Sequence, residues 1–478
     1  MSVNMTTQVV AVGDNWTKVG NDYIGDQPSG VGSVIASFLA AQNTAPNSGS
    51  AIWASSQVAD GNGSGTFADP YSLRGAVYSA TLGSEVILKD DGVYQLTNPM
   101  NLASDFDDTT YPDSFSSGGP TGGTAWDGTN PKVVTMATAK PTQESERITI
   151  RGEQGTLPTI DCQQMRFVSL EFNQFMTFRA MNFINTRDVF YVFEGCENAE
   201  FDLIAADMVI DAGGNLAPIT VNAGTEVGSV TRHYAKGPGQ LSDGINANCC
   251  GIFNRVNNGW TYQNVTVHNF PLGIYYKHPN DPADVGGLGG VTGLFENVHV
   301  YDTDRSNGSN LSCNGYTFRN CLLNGAKFGA NGGTGANGIA EGGFGCVIDN
   351  VTFFENKVEF DGAATATGGS STPTIIDSVF ASRLDGHPFD AGTGFTVTSS
   401  NYNLFGLDSF LVNTVTQTFA QWQTAQSSDA NSIQATPSFV GSNAATPSDW
   451  ALTGSGTGAS SVGADMGCDV TTIGVMGA

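Results

Sequence analysis

Positively charged residues are scarce in this chain of 478 residues. It has 19 lysine and arginine residues against 45 aspartate and glutamate residues, which gives a formal net charge of −26. A protein that binds phosphate backbones needs clustered cations to displace counterions. Nucleic acid is therefore not an expected partner, and an anionic membrane surface suits the chain no better. Charged residues of either sign make up only 13% of the sequence, well below the roughly 25% usual in soluble domains.

Long apolar runs and cysteine motifs are also missing. No run approaches the roughly 18 residues that a membrane span needs, so no membrane insertion is expected. The first residues, MSVNMTTQ, lack the basic and apolar regions of a secretory leader. The eight cysteines form no CxxC pair, which predicts buried, reduced thiols. These features favour assembly in a reducing cytoplasm.

Glycine and short strand patterns are abundant instead. The chain has 61 glycines and is 40% hydrophobic, a composition typical of a β-rich, turn-rich protein with a long core. A pattern of alternating apolar residues recurs in WTYQNVTVHNF, LFENVHVYD, YTFRNCLLNG, VIDNVTFFEN and, more weakly, TIIDSVFAS. Repeats of 20 to 50 residues built from short strands indicate a solenoid. Because no helices separate these strands, we expect a parallel β-helix.

Each copy of the pattern places a polar residue at its turn. These residues are Asn264, Asn297, Asn320, Asn350 and Ser378, which lie 33, 23, 30 and 28 residues apart. Stacked asparagines at a turn can hydrogen-bond to one another and hold the register of the coils. We therefore predict an asparagine ladder rather than a row of ligand-binding amides.

Longer segments resemble the pectin-lyase-like right-handed parallel β-helix proteins. GSGTFADPYSLRGAVYSATLGSEVILKDDGVYQL is similar to their first coil, in which a short helix with Ser72 as its N-cap covers the open end of the core. ITIRGEQGTLPTIDC is similar to the coil that follows. FAQWQTAQSSDANSIQATPSFVG and WALTGSGTGASSVGAD are similar to the closing region, with a tryptophan-containing helix. The expected fold class is all-β, and residues 59–478 are expected to form the β-helix.

Residues 1–58 have a different composition. WTKVGNDYIGDQPSGVGSVIASFLAAQ combines apolar residues with glycine turns, which predicts a small β-module followed by a loop. This segment resembles the modules that begin phage virion proteins. The resemblance implies attachment to other virion proteins, a homotrimer, and a β-helix that projects from a virion assembled in the host cytoplasm. On this hypothesis the chain is a tailspike-like or capsid-decorating protein that contacts host-surface polysaccharide.

The alternative hypothesis is an extracellular polysaccharide lyase. Lyases of the family resembled here use a lysine or arginine to take the C5 proton of a uronate, whose carboxylate is neutralised by Ca²⁺ or a second cation. The segment GIYYKHPNDPADVGG offers Lys277 as the base and His278 as its assistant, and Arg305 is an alternative base. Asp281 and Asp284 could hold Ca²⁺. The chain has no DxDxDG run, so a strong calcium site is not indicated, and turns beginning at these aspartates are the competing interpretation.

Aromatic side chains near this segment could stack on sugar rings. The candidates are Trp260, Tyr275 and Tyr276, for which a place in the core is the competing interpretation. A hydrolase with paired carboxylates is a further alternative, with Asp202, Asp207, Asp243 and Asp385 as candidates, because the sequence does not fix their separations. The fold alone does not choose among these activities.

Overall fold

The computed structural model describes residues 17–19, 22–24, 33–59, 62–96, 100–103, 141–163, 167–171, 174–186, 189–192, 196–208, 217–221, 226–237, 249–255, 258–270, 272–277, 293–303, 316–324, 337–340, 344–354, 358–361, 372–381, 386–391 and 395–475. The chain divides into two compact units. The first unit lies within residues 11–253, and the second lies within residues 254–478. Each unit is a stretch of right-handed parallel β-helix, which confirms the predicted fold class.

The first unit contains two helices, α1 and α2, and most of the first fifteen strands. The helices are α1 (Ser33–Gln42) and α2 (Leu73–Tyr78), with a 3-10 turn at Glu144–Glu146. The strands are β1 Thr17–Val19, β2 Asp22–Ile24, β3 Ile52–Ala54, β4 Glu85–Leu88, β5 Val93–Gln95, β6 Met100–Ala103, β7 Ile148–Gly152, β8 Thr159–Asp161, β9 Val168–Glu171, β10 Met176–Thr186, β11 Phe190–Val192, β12 Glu197–Met208, β13 Ile219–Val221, β14 Glu226–Lys236 and β15 Cys250–Arg255, of which β15 includes the division between the units.

The second unit contains the remaining strands and the closing helix. The strands are β16 Asn258–His268, β17 Leu272–Lys277, β18 Gly293–Tyr301, β19 Tyr316–Arg319, β20 Leu322–Asn324, β21 Asn337–Ala340, β22 Phe344–Asp349, β23 Thr352–Phe354, β24 Val358–Asp361, β25 Thr372–Ile376, β26 Val379–Ala381, β27 His387–Ala391, β28 Ser399–Asn401, β29 Leu404–Phe405, β30 Phe410–Val412, β31 Val415–Gln417, β32 Ile433–Gln434, β33 Ser438–Phe439 and β34 Leu452–Thr453. Helix α3 is Phe419–Gln426, and a 3-10 turn spans Pro447–Trp450.

Consecutive coils pair in parallel within each unit. In the first unit β4 pairs with β7, β7 with β10, β10 with β12 and β12 with β14. In the second unit β16 pairs with β18, and the series continues through β19, β22 and β25 to β28. Because side chains alternate along each strand, one set fills the core and the other lies on the outer face.

The core is built from aromatic stacks that run from coil to coil. In the second unit the Phe295 ring lies 4.6 Å from that of Tyr262 and 5.0 Å from that of Phe318. In the first unit the Phe178 and Phe201 rings are stacked at 5.7 Å. Such pairs add about 0.5–1.5 kcal/mol each beyond the area that they bury, so the same residues that form the strands also hold successive coils in register.

The predicted helices at the two ends of the repeat are confirmed. The Ser72 hydroxyl accepts a hydrogen bond from the backbone nitrogen of Gly75 at the start of α2. Helix α3 begins with a capping box between Thr418 and Gln421, and its Trp422 is fully buried. Asp429 accepts a hydrogen bond from the Trp422 indole nitrogen at 3.0 Å, so the closing helix is fixed to the last coil by a polar contact as well as by packing.

Part of the segment predicted as an N-terminal β-module has a different structure. Residues 33–42 form helix α1, with Ile35 and Leu39 buried. The antiparallel pair β1–β2 agrees with the β prediction, but β3 pairs in parallel with β4. Strand β3 therefore belongs to the β-helix although it precedes residue 59. The anchoring role of this segment stays a prediction.

The asparagine ladder is present, but the position predicted for its last member is off by one residue. The Asn297 side-chain nitrogen donates to Asn264 Oδ1, and that of Asn320 donates to Asn297 Oδ1 at 2.6 Å. These asparagines have positive φ, as does Asn350 (55°). In the next coil the left-handed residue is Asp377 (53°), not Ser378. The prediction for Ser378 was wrong by one position because the weak copy TIIDSVFAS was aligned by its serine.

Candidate functional site

One outer face of the second unit is covered by the end of the chain. Residues 456–475, here called the C-terminal strap, run back across the coils. Their contacts pass from Asp377, whose carbonyl accepts from Gly467 N, to Thr352, Asn320 and Asn297. The last contact is from Val475 N to Thr266 Oγ1 at 3.0 Å. The strap therefore covers the asparagine ladder, which excludes it as a ligand-binding surface.

In the first unit, helix α1 packs against β10 and β12. The following residue, Asn43, is buried, and its amide nitrogen donates to the Glu153 carbonyl at 2.7 Å. Helix α1 is thereby fixed to the coils. A ligand of this unit would bind to outer-face side chains of the strands that helix α1 does not cover. Several of these side chains are charged.

Three arginines of the first unit lie close to two carboxylates on this outer face. They are Arg147, Arg179 and Arg232, with Glu200 and Asp202. Arg179 and Asp202 are direct register partners on β10 and β12, and Arg232 comes from β14. Since the chain has so few cations, three arginines on neighbouring coils are a local concentration of positive charge, and Glu144, beside Arg147, is a third carboxylate there.

Arg147 is fully engaged within the protein. Its guanidinium makes two hydrogen bonds of 2.7 Å to the Glu144 carboxylate and donates to Thr177 Oγ1 at 3.1 Å and the Asn198 carbonyl at 3.0 Å. It also lies 3.3 Å from Glu200. The hydrogen bond from Arg147 lowers the pKa of Glu144. Arg147 therefore ties coils together and has little capacity left for a ligand.

Arg232 is engaged with Asp202 in a bidentate pair. Its Nε donates to Oδ1 at 2.8 Å and its terminal nitrogen donates to Oδ2 at 2.5 Å. Such fork-to-fork pairs are the strongest that arginine makes with carboxylates. Both oxygens of Asp202 are thus occupied by one arginine.

Arg179 is the least engaged of the three. Its Nε lies 3.3 Å from Asp202 Oδ2 but has no hydrogen-bond acceptor and is buried. Its terminal nitrogens make no hydrogen bond to any residue that the structure describes, and 24% of the side chain is exposed. We call Arg179, Asp202 and Arg232 the Arg179 cluster. It carries two positive charges and one negative charge, and its open guanidinium can bind a carboxylate.

A second charged row lies on the outer face of the second unit. Arg319 is 49% exposed, with its guanidinium 3.7 Å from Glu296 and 3.3 Å from Asp349. Gln263 donates to the other oxygen of Glu296 at 2.6 Å. This row has excess negative charge and its arginine lies between two carboxylates, so it suits an anionic ligand less well than the Arg179 cluster does.

The site predicted from GIYYKHPNDPADVGG falls largely outside the described residues. His278, Asp281, Asp284 and Arg305 lie there, as do the side chains of Lys277, Tyr275 and Tyr276. The backbone of the last three belongs to β17, which ends at Lys277. Their roles therefore stay predictions.

The predicted glycan-binding role of Trp260 needs a correction. Its side chain is 0% exposed, and its ring is stacked on Tyr262 at 6.2 Å. A tryptophan binds sugar through an exposed ring face, and this ring has none. Trp260 is a core residue, placed inward by the alternation of strand β16.

The carboxylates considered for a hydrolase do not form a pair in the described structure. Asp202 is held by Arg232, whereas Asp207 is buried and aligned with Lys236 on the next strand. Asp243 and Asp385 lie outside the described residues. Within those residues no three histidine, cysteine, aspartate or glutamate side chains converge as a metal site, and no helix has the length and apolarity to span a bilayer.

No protein-family model and no curated protein matches the sequence. The crystal structure of pectate lyase Pel9A is similar over 89% of this chain and 96% of that chain, with a TM-score of 0.48 and 12% identity. A rhamnogalacturonan lyase is similar over 80% of this chain and 87% of its own, with a TM-score of 0.37 and 11% identity. The parallel strand pairing described above, rather than these similarities, defines this chain as a β-helix protein.

Proposed function

We propose that this chain binds an acidic polysaccharide on the outer face of its first unit, with Arg179 as the residue that receives a sugar carboxylate. The observation that carries the proposal is the Arg179 guanidinium, whose Nε makes no hydrogen bond, beside a carboxylate whose two oxygens are already bound by Arg232. A guanidinium presents paired donors in a geometry that matches a carboxylate. The surrounding parallel strands are a rigid support for such a contact.

The wider proposal is a phage virion surface protein, tailspike-like or capsid-decorating, that contacts host-surface glycan as a homotrimer. A cationic side chain on the outer face of a parallel sheet, with its charge only partly balanced by Asp202, supports contact with an anionic glycan. Attachment through the N-terminal segment is tested best by deleting residues 1–32, because a longer deletion would remove helix α1 and strand β3 from the β-helix. Loss of particle retention with an intact β-helix is the expected result.

The test of the binding site uses polygalacturonate as probe and its carboxyl-reduced polymer as the neutral control. We expect Arg179→Gln to weaken binding of polygalacturonate about tenfold or more, the usual value of a charge-assisted hydrogen-bonded contact. Arg319→Gln removes the same charge from the second unit and serves as the matched control. Equal binding by wild type and Arg179→Gln would disprove the proposal.

Cleavage by β-elimination is the alternative, and it depends on β17, which ends at Lys277. In this reaction the base takes the C5 proton, the C4–O bond breaks, and the leaving oxygen is protonated, which leaves an unsaturated uronate. Ca²⁺ held by Asp281 and Asp284 would neutralise the sugar carboxylate. Unsaturated product from wild type, lost in Lys277→Ala or Arg305→Ala, would support the lyase.

A further inference from the structure

We infer that Arg232 is a positioning residue that binds both oxygens of Asp202, prevents a hydrogen bond between Asp202 and Arg179, and so keeps Arg179 able to bind an anionic ligand. This inference rests on the proposed function. On this inference Arg232 does not contact the polysaccharide. The role of Arg232 is to bind the carboxylate of Asp202, which would otherwise pair with the ligand-binding Arg179.

The contact geometry shows that two arginines compete for one carboxylate. Arg232 donates to both oxygens of Asp202, at 2.8 and 2.5 Å. Arg179 approaches one of the same oxygens to 3.3 Å, but its Nε makes no hydrogen bond. Asp202 is already within reach of Arg179, and a rotation of its carboxylate would pair the two. The bidentate hold of Arg232 opposes that rotation.

The backbone directs Arg232 towards Asp202. Ala180, Leu203 and Arg232 occupy the same bend of three successive coils, with φ of 55°, 56° and 52°. In the paired strands Asp202 is aligned with Thr231, so Arg232 lies one residue beyond its carboxylate partner. The left-handed conformation is a property of the bend in all three coils. A residue that tolerates this conformation, such as asparagine, can replace Arg232 without changing the bend.

No other cation of the described first unit is placed to replace Arg232. Arg151 is aligned with Arg179, but its guanidinium is buried against Glu85 and the Pro46 carbonyl. Arg147 is held by Glu144 and by neighbouring polar groups. Without Arg232, the nearest partner of Asp202 is Arg179, and the net charge of the cluster changes from +1 to zero.

The experiment compares four variants with wild type: Arg232→Asn, Asp202→Asn, the double variant of these two, and Arg179→Gln. The readout is the Kd for polygalacturonate, with thermal unfolding of each variant as a check on folding. We expect Arg232→Asn to raise the Kd about tenfold, because Arg179 would then be neutralised by Asp202. The double variant should return to the wild-type Kd, and Asp202→Asn alone should bind at least as tightly as wild type.

The outcomes separate this inference from the proposed function. If Arg179→Gln binds like wild type, the proposed function fails. If Arg179→Gln weakens binding but Arg232→Asn does not, the inference alone is overturned. It is also overturned if the double variant stays as weak as Arg232→Asn, since Arg232 would then contact the ligand itself. Should Arg232→Asn fold poorly, Arg232→Lys, which keeps the charge but not the bidentate hold, is used with the same comparison and should give an intermediate Kd.

Discussion

The side-chain nitrogen of Asn297 donates a hydrogen bond to Asn264 Oδ1, 3.0 Å away and 33 residues earlier in the chain. The same asparagine accepts from Asn320, so one side chain links three coils of the second unit. Its backbone has φ of 56°. A single residue type thus meets two requirements, because asparagine tolerates the left-handed conformation and supplies both a donor and an acceptor.

Substitution of this residue separates the two contributions. Asn297→Ala should lower the free energy of unfolding by about 2–3 kcal/mol, since it removes the side-chain hydrogen bonds to Asn264, Asn320 and Thr472 and since alanine tolerates the left-handed conformation less well than asparagine. Asn297→Gly removes the same hydrogen bonds, but glycine adopts the left-handed conformation without strain. Its loss of unfolding free energy should therefore be about 1 kcal/mol smaller than that of Asn297→Ala. Urea unfolding of both variants measures the difference. Equal losses would show that the backbone conformation contributes nothing.

Two glycines of the C-terminal strap form a matched pair. Gly467 and Gly463 both have positive φ, 83° and 75°. A Cβ on Gly467 would clash with Thr352 and Val379, whereas a Cβ on Gly463 would meet nothing within 4 Å. We expect Gly463→Ala to cost about 1 kcal/mol from the backbone alone, and Gly467→Ala a further 1–3 kcal/mol or so from crowding. Similar thermal unfolding of the two variants would contradict the packing of the strap.

Acid sensitivity should come in part from buried histidines. Burial lowers the pKa of His299 to about 3, although its hydrogen bond to the Ala444 carbonyl opposes the shift, and burial lowers the pKa of His233 to about 4. Unfolded histidine titrates near 6.5, so the unfolded chain binds more protons as the pH falls from about 6.5 towards 3. Stability should therefore fall by on the order of 1.4 kcal/mol per pH unit for each group, down to about pH 4 for His233 and about pH 3 for His299.

The measurement is urea unfolding at several pH values. His299→Gln should lower stability at pH 7 because packing is lost, yet flatten the slope below pH 6 because one titrating group is gone. If His299→Gln and wild type show the same dependence of unfolding free energy on pH, His299 is protonated in the folded state or does not contribute to the acid sensitivity.

Arg147 and Arg319 should differ in their effects on stability. Arg147 is 13% exposed and ties Glu144 to groups on two other coils. Arg319 is half-exposed and lies between two carboxylates. We expect Arg147→Gln to cost about 1–3 kcal/mol, the range for hydrogen bonds to charged groups, and Arg319→Gln less than about 1 kcal/mol. Neither should weaken polygalacturonate binding as Arg179→Gln does.

The repeated strands and both end helices could be predicted because they depend on local patterns. Alternation identified the coils, and the serine before LRGAVY identified an N-cap. Helix α1 was missed because Val34 and Ile35 follow glycine turns and favoured a strand. The four-residue spacing of Ile35 and Leu39, both buried, was the helical signal in the same segment.

The Arg179 cluster could not be found from spacing along the chain. Its members come from three coils, 23 and 30 residues apart, and their contact depends on which coils stack and in what register. A signal existed in MTFRA and EFDLI, which have Arg179 and Asp202 at matching positions, and in SVTRH, where Arg232 lies one position later. The inward position of Trp260 likewise depended on which face of β16 is internal, and alternation alone does not say which face that is.

The route of the C-terminal strap has a consequence for the order in which the chain is completed. A ribosome makes residues 467–475 after the coils that they contact, since Asp377, Asn320, Asn297 and Thr266 all come earlier in the chain. Each coil can pair with its predecessor as it emerges, but the covering of this face must wait for residues 467–475. Translation that stops before residue 467 therefore yields a stack of coils with this face uncovered.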